Sequence, residues 1–318
     1  MNQGTGGCAI VRAVTPDTAP PARPPRRSRS RVSLTLGASL VTVFVLCALL
    51  APLLTLLIGY GPFEQVAPRA ETPPTPPDRL HLLGTDTLGR DQLSRLVHGA
   101  GISLEVGVVA EVIALLLGTA IGGLAGYAGG RIDALLMRAA DLVFAFPEPL
   151  LALAIIAAIP DPDNAPILRH MPHPSIGVVF LVLGGIGWAR IARLVRGEML
   201  KIREQEFARA AEAIGARGTR VVLRHLLPNV LGPLIVVGTF GVGANILMEA
   251  WLSFLGVGAR PPLPSWGTMV TEGQAYLLAK PWVCVAPGLA ILMVVLGFNL
   301  LGDGVRDLLD PRRPATSA

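Results

Sequence analysis

The sequence predicts an all-α, polytopic membrane protein with six transmembrane helices, and three observations predict it. Charged residues make up 15% of the chain and hydrophobic residues 52%, against about 25% charged in an average soluble domain. Six apolar runs approach or exceed the roughly 20 residues that a helix needs to cross a bilayer. The Lys and Arg between those runs alternate between dense and sparse. A water-soluble surface for a 33.3 kDa chain cannot be covered by so few charges. Disorder over most of the length is excluded by the same composition.

Residues 1–33 are rich in Pro, Arg, Gly and Ser without apolar period, and read as a disordered cytoplasmic tail. The run 34–58 holds 25 uncharged residues, whereas a secretory leader has an apolar core of about 7–15. It therefore reads as a retained anchor. The first outer loop, 59–101, begins with Pro73-Pro74-Thr75-Pro76-Pro77, a composition for extended polyproline rather than helix. Spans two to six are expected at 102–128, 142–159, 175–189, 230–255 and 282–301, with a short C-terminal tail at 314–318. The fourth is the shortest at 15 residues, but its pattern runs on into Arg190 and Arg193, whose stems can snorkel. Trp188 and Trp282 fall at expected span ends, where interfacial indoles sit.

Orientation follows from the cations. With the N-terminus inside, 20 of the 27 Lys and Arg fall on inner segments and 7 on outer ones. That asymmetry satisfies the positive-inside rule and places both termini in the cytoplasm. The net charge of +5 is thereby absorbed, because Arg23, Arg26, Arg27, Arg29 and Arg31 crowd ahead of the first span; no nucleic-acid partner is implied. Cys8, Cys47 and Cys284 form no CxxC and no His/Cys cluster, so neither a disulfide framework nor a metal site is expected.

Within the spans, Gly118, Gly122, Gly126 and Gly130 recur every fourth residue. Such a stripe lets a second helix approach closely, within this subunit or from another. Four acids lie in or beside spans: Glu105 and Glu148 near the ends, Glu111 and Glu249 deeper. A charge at mid-bilayer costs upward of about 2.5 kcal/mol, so Glu111 and Glu249, together with Asn245, are candidates for a polar pathway or for buried interhelical hydrogen bonds.

The inner loop 190–228 is the most informative stretch. Phe207, Ala210, Ala211 and Ile214 stand at i, i+3, i+4 and i+7, one face of a short helix. Gly215 can supply the left-handed stop, and a second helical stretch follows at 219–227 before Pro228. Pattern alone leaves two readings: a helix docked in a partner's groove, or one lying flat on phospholipid.

Residue order favours the first. Arg209-Ala210-Ala211, three residues, Gly215, nine residues, then His225-Leu226-Leu227-Pro228 resembles the EAA loop of ABC-importer permeases. Arg209 stands where that pattern has glutamate and His225 where it has isoleucine. The stretch from His81-Leu82-Leu83-Gly84-Thr85-Asp86 to Gly89-Arg90-Asp91 looks like the C-type permease of the dipeptide/oligopeptide branch. Glu249-Ala250-Trp251-Leu252-Ser253-Phe254-Leu255-Gly256, Pro264-Ser265-Trp266-Gly267 and Gly297-Phe298-Asn299-Leu300-Leu301-Gly302-Asp303 continue the likeness. It covers about residues 34 to 313. Gly101, where the family has arginine, and Glu148, in a stretch usually apolar, depart from it.

The resemblance implies a type I ABC-importer permease fold, with 34–313 as the permease domain, in a bacterial cell membrane. It implies a second, B-type permease subunit, two ATP-binding subunits and an extracytoplasmic substrate-binding protein as partners. Phe207, Arg209, Ala210, Ala211, Ile214 and Gly215 would form the coupling helix against an ATP-binding subunit. Peptide is the implied cargo, with nickel complexes, glutathione or oligosaccharides as alternatives. ATP and Mg²⁺ would be used by the partners and no cofactor by this chain. The residues agree independently, because a P-loop needs Gly-Lys followed by Ser or Thr, and the only lysines, Lys201 and Lys280, follow Leu200 and Ala279. A secondary transporter would call for inverted repeats, and a membrane hydrolase for a Ser/His or paired-Asp site within the spans; the sequence displays neither.

Overall fold

The computed structural model describes residues 26–66, 74–159, 173–203, 205 and 227–309. Among them every regular element is helical: α1 (Arg26–Leu49), α2 (Ala51–Ile58), α3 (Gln92–Ala128), α4 (Gly130–Phe144), α5 (Glu148–Ala157), α6 (Pro174–Arg203), α7 (Leu227–Phe254), α8 (Trp266–Gly273), a short 3₁₀ turn and α9 (Trp282–Leu309). Five helices are long and apolar enough to cross a membrane, or six if the bent pair α4–α5 is one span. Backbone hydrogen bonding forces this choice, since lipid offers no partner for an open N–H or C=O.

Two of the expected spans differ in form. The run 34–58 is interrupted at Leu50, because Pro52 near the start of α2 removes a helical N–H and crowds the preceding turn. Helix α1 itself begins at Arg26 rather than at residue 34, so part of the expected tail is helical. The expected span 142–159 is the larger departure. It is the second part of a broken pair that starts at Gly130, bent by 85° around residues 145–147. Pro147 and Pro149 explain the break, since the residue before a proline disfavours helical backbone. Trp188 lies well inside α6 rather than at its end, while Trp282 does open α9.

Antiparallel packing of α1 on α9 brings Gly37 to Leu301 and Leu34 to Gly304, so Arg26 and Leu309 lie at one end of the bundle. That end is the terminal face, and it also holds the α3–α4 junction. The opposite, loop face holds residues 59–66, 74–91 and α8. Helix α3 is the central post. It runs parallel to α6, with Gly118 against Ile191, Gly122 against the Ala192 backbone and Gly126 against Met199. A Cβ at Gly126 would lie 2.7 Å from the Met199 side chain and one at Gly122 closer still to the Ala192 carbonyl, so three stripe glycines set an intrasubunit approach. Gly130 does not join them; it starts α4 at φ +53° with nothing described within 4 Å.

Candidate functional site

Polar side chains buried among these helices fall into two groups. The first lies at the loop face. Asp91 caps α3, its carboxylate accepting from the Ser94 backbone N–H at 2.7 Å, as helix N-termini require. Its other oxygen meets His81 Nδ1 at 3.0 Å. One turn on, Arg95 is 0% exposed, an environment that requires paired charge. It donates to Asp86 and, at 2.6 Å, to Glu272. Arg90 donates to the same two acids at 2.6 and 3.0 Å. Asp86 also accepts from the backbone N–H groups of Leu88 and Arg90, both at 2.9 Å.

Two arginines and two carboxylates thus tie loop 74–91 to α3 and to the end of α8. Gln92 extends the tie by donating to the Val283 carbonyl at 2.9 Å. Trp266, fully buried, donates its indole N–H to the Leu96 carbonyl at 2.9 Å. The expected polyproline stretch enters this face: Thr75 pairs with Thr85 through its backbone N–H at 2.8 Å, and residues 75–78 take no regular structure. Asp78, at the bottom of the following turn, accepts from the His81 and Leu80 backbone N–H groups. The His81 bond above all holds its carboxyl below the usual carboxylate range.

The second group lies at mid-bundle. Glu111 of α3 is 1% exposed. One carboxylate oxygen accepts from Asn245 of α7 at 3.1 Å and from Arg190 of α6 at 3.4 Å. The other, Oε1, has no hydrogen-bond partner among the described residues. Gly241 makes room for the group, since a Cβ there would overlap the Glu111 carboxylate. Glu111 stands at the deep end of a groove of about 690 Å³ between α3 and α7, walled by Val112, Leu116, Ile235, Thr239 and Phe298. The lining stretches 108–120 of α3 and 231–242 of α7 both lie in the half of the bundle next to the terminal face.

Glu249 is nearer the loop face and equally buried, accepting from the Ser253 hydroxyl at 2.6 Å. Glu105 and Glu148, expected at solvated ends, are both exposed, but Glu105 lies inside α3 because that helix begins at Gln92, while Glu148 is the first residue of α5 at the bend. Arg190 and Arg193, expected to snorkel, instead reach acids on neighbouring helices. Arg193 pairs with Asp141 and lies 4.1 Å over the Phe144 ring, and Arg196 clamps Asp133 through two bonds at 2.9 and 2.6 Å. Phe207, Arg209, Ala210, Ala211, Ile214 and Gly215 lie outside the described residues.

The bundle thus combines a post of small residues, a mid-bundle carboxylate in a groove and a tied loop at one end, and likeness to known proteins assigns it to a family. Residues 118–313 match the family described as the binding-protein-dependent transport system inner membrane component. The chain belongs to this family. The permease is 42% identical over 281 residues to the dipeptide transport system permease protein DppC of Alkalihalophilus pseudofirmus, covering 87% of this chain and 84% of that one. It is 34% identical over 286 residues to the oligopeptide transport system permease protein OppC of Bacillus subtilis, covering 90% and 88%. A glutathione transport system permease protein, GsiD of Escherichia coli, is 43% identical over 236 residues, 74% of each chain. Within the permease, the network of Asp86, Arg90, Arg95 and Glu272 and the role of Arg190 went unread in the sequence. The one available signal was Asp86 and Arg90 in the motif stretch, which spacing alone cannot pair with Glu272.

Proposed function

We propose that this permease is the C-type membrane subunit of a peptide importer powered by ATP hydrolysis on partner subunits. The observation that carries the reading is similarity to a dipeptide permease along 87% of the chain. Its partners are a B-type permease that completes the pathway, two ATP-binding subunits and an extracytoplasmic binding protein that delivers cargo. The chain itself is not an enzyme and binds no cofactor; the subunits below use ATP and Mg²⁺. The cation asymmetry puts the terminal face in the cytoplasm of a bacterial cell. On that side the segment carrying Phe207, Arg209, Ala210, Ala211, Ile214 and Gly215 docks as a coupling helix, so closure of the ATP-binding pair tilts α6 and α7 as rigid bodies.

The test is peptide uptake by proteoliposomes holding the complete complex. Dipeptide uptake is expected to require ATP and the binding protein, and to stop with vanadate but not with an ionophore. A Gly215→Asp variant is expected to abolish uptake while the binding protein still captures peptide. Uptake driven by an ion gradient without ATP overturns the reading, and uptake of glutathione in preference to dipeptides corrects its cargo.

A further inference from the structure

We propose that Glu111 is a binding point for a protonated amine, the α-ammonium of a transported peptide passing through the groove between α3 and α7. The inference rests on the permease reading and adds a site to it. Its first support is the uneven use of the carboxylate. Asn245 and Arg190 both approach Oε2, at 3.1 and 3.4 Å, while Oε1 is buried and has no partner among the described residues. Buried polar atoms are almost always paired, so a lone pair left open on a carboxylate that lines a groove asks for a donor. Arg190 does not close the account: its side chain is 44% exposed and reaches only the occupied oxygen.

The second support is the shape of the surroundings. The groove is of ligand size, and its lining is apolar apart from Glu111 and two threonines. An apolar channel with one carboxylate at mid-bundle suits a chain with an ammonium end and aliphatic or aromatic side chains. Gly241 keeps α7 free of a side chain where the carboxylate lies, and Gly238 does the same opposite Leu115. Glu249 is the internal contrast. It too has an oxygen with no partner among the described residues, but it is absent from the lining of the groove and is enclosed where α7 meets α8. Charge complementarity therefore selects Glu111, and selects an amine over a carboxylate or a phosphate.

The experiment uses the assembled complex in proteoliposomes, with the three native cysteines replaced by alanine and Val112→Cys placed in the groove wall. The probes are two thiol reagents of equal reach, aminoethyl and sulfonatoethyl methanethiosulfonate. The cationic reagent is expected to modify the groove about tenfold faster, relative to a free thiol, than the anionic one. Glu111→Gln is expected to erase that preference and to slow dipeptide uptake about tenfold, while Glu111→Asp keeps the preference. An unchanged reagent ratio in Glu111→Gln overturns the proposal. So does a thiol at 112 that reacts only with bilayer-dissolved reagents, or that is unreactive in the assembled complex while reacting in this subunit reconstituted alone, because lipid or a partner helix would then be the occupant. Failure of wild-type uptake counts against the transport reading, whereas the reagent ratio judges the site alone.

Discussion

The two buried charge clusters on α3 are held in opposite ways. At the loop face, Arg95 and Arg90 share Asp86 and Glu272, and every carboxylate oxygen there meets a donor. At mid-bundle, Glu111 has a donor on one oxygen and none described on the other. The difference marks a division of labour along one helix. Where the protein needs a fixed platform, the carboxylates are fully paired, because an unpaired ion in a low dielectric is costly; of the four charged groups, Arg95 alone keeps a buried polar atom, Nε, without a partner among the described residues. Where a ligand passes, part of the hydrogen-bonding capacity is left for the ligand. Helix α3 thus carries a locked half toward the loop face, and a half with glycine packing on one side and an open groove on the other.

The most damaging test of that contrast removes the lock. Arg95→Met leaves Asp86 and Glu272 with Arg90 as their one remaining shared cation among the described residues, and loss of one member of a buried pair costs about 3–5 kcal/mol. Thermal unfolding of the purified complex is expected to shift down strongly, far more than with Glu111→Gln. Equal losses from the two variants would erase the distinction between the clusters.

Gly122→Val probes the other half of α3. Its side chain would enter the Ala192 backbone, where no rotamer change can relieve it, at a cost of about 3 kcal/mol. Loss of assembled complex from membranes is the expected readout, with Gly130→Val harmless to packing though strained at its own backbone. Tolerance of Gly122→Val would mean that α3 and α6 are not in close contact.

Asp78 offers the gentlest test. Its carboxyl is held below the ordinary range by the His81 and Leu80 N–H groups, so its stabilising contribution is complete above the ordinary carboxylate pKa and lost as pH falls through the depressed one. Hydrogen exchange of residues 79–84, normalised to the intrinsic exchange rate at each pH, is expected to quicken on acidification in the wild type. In Asp78→Asn it should already be faster at neutral pH and respond less to acid.

Much of this was legible without coordinates. Five of the six apolar runs fall on the five long apolar helices, and the fourfold glycine repeat announced a close helix pair. Less legible was the fate of charges at span edges. Arg190 and Arg193 have the look of snorkelling residues, yet they turn toward Glu111 and Asp141 on other helices. Likewise, prolines at 147 and 149 lie inside an apolar run that hydropathy reads as one straight span, while the backbone bends there by 85°.

By itself the sequence determined which segments are apolar enough to leave water, because transfer free energy is summed locally along the chain and needs no knowledge of neighbours. Only the tertiary structure decided that Glu272 would close a charge network begun 177 residues earlier at Arg95, and that Glu111 would keep one oxygen open. Pairing of buried charge depends on distances across helices, and those are set by how glycine and side-chain volumes let the helices pack.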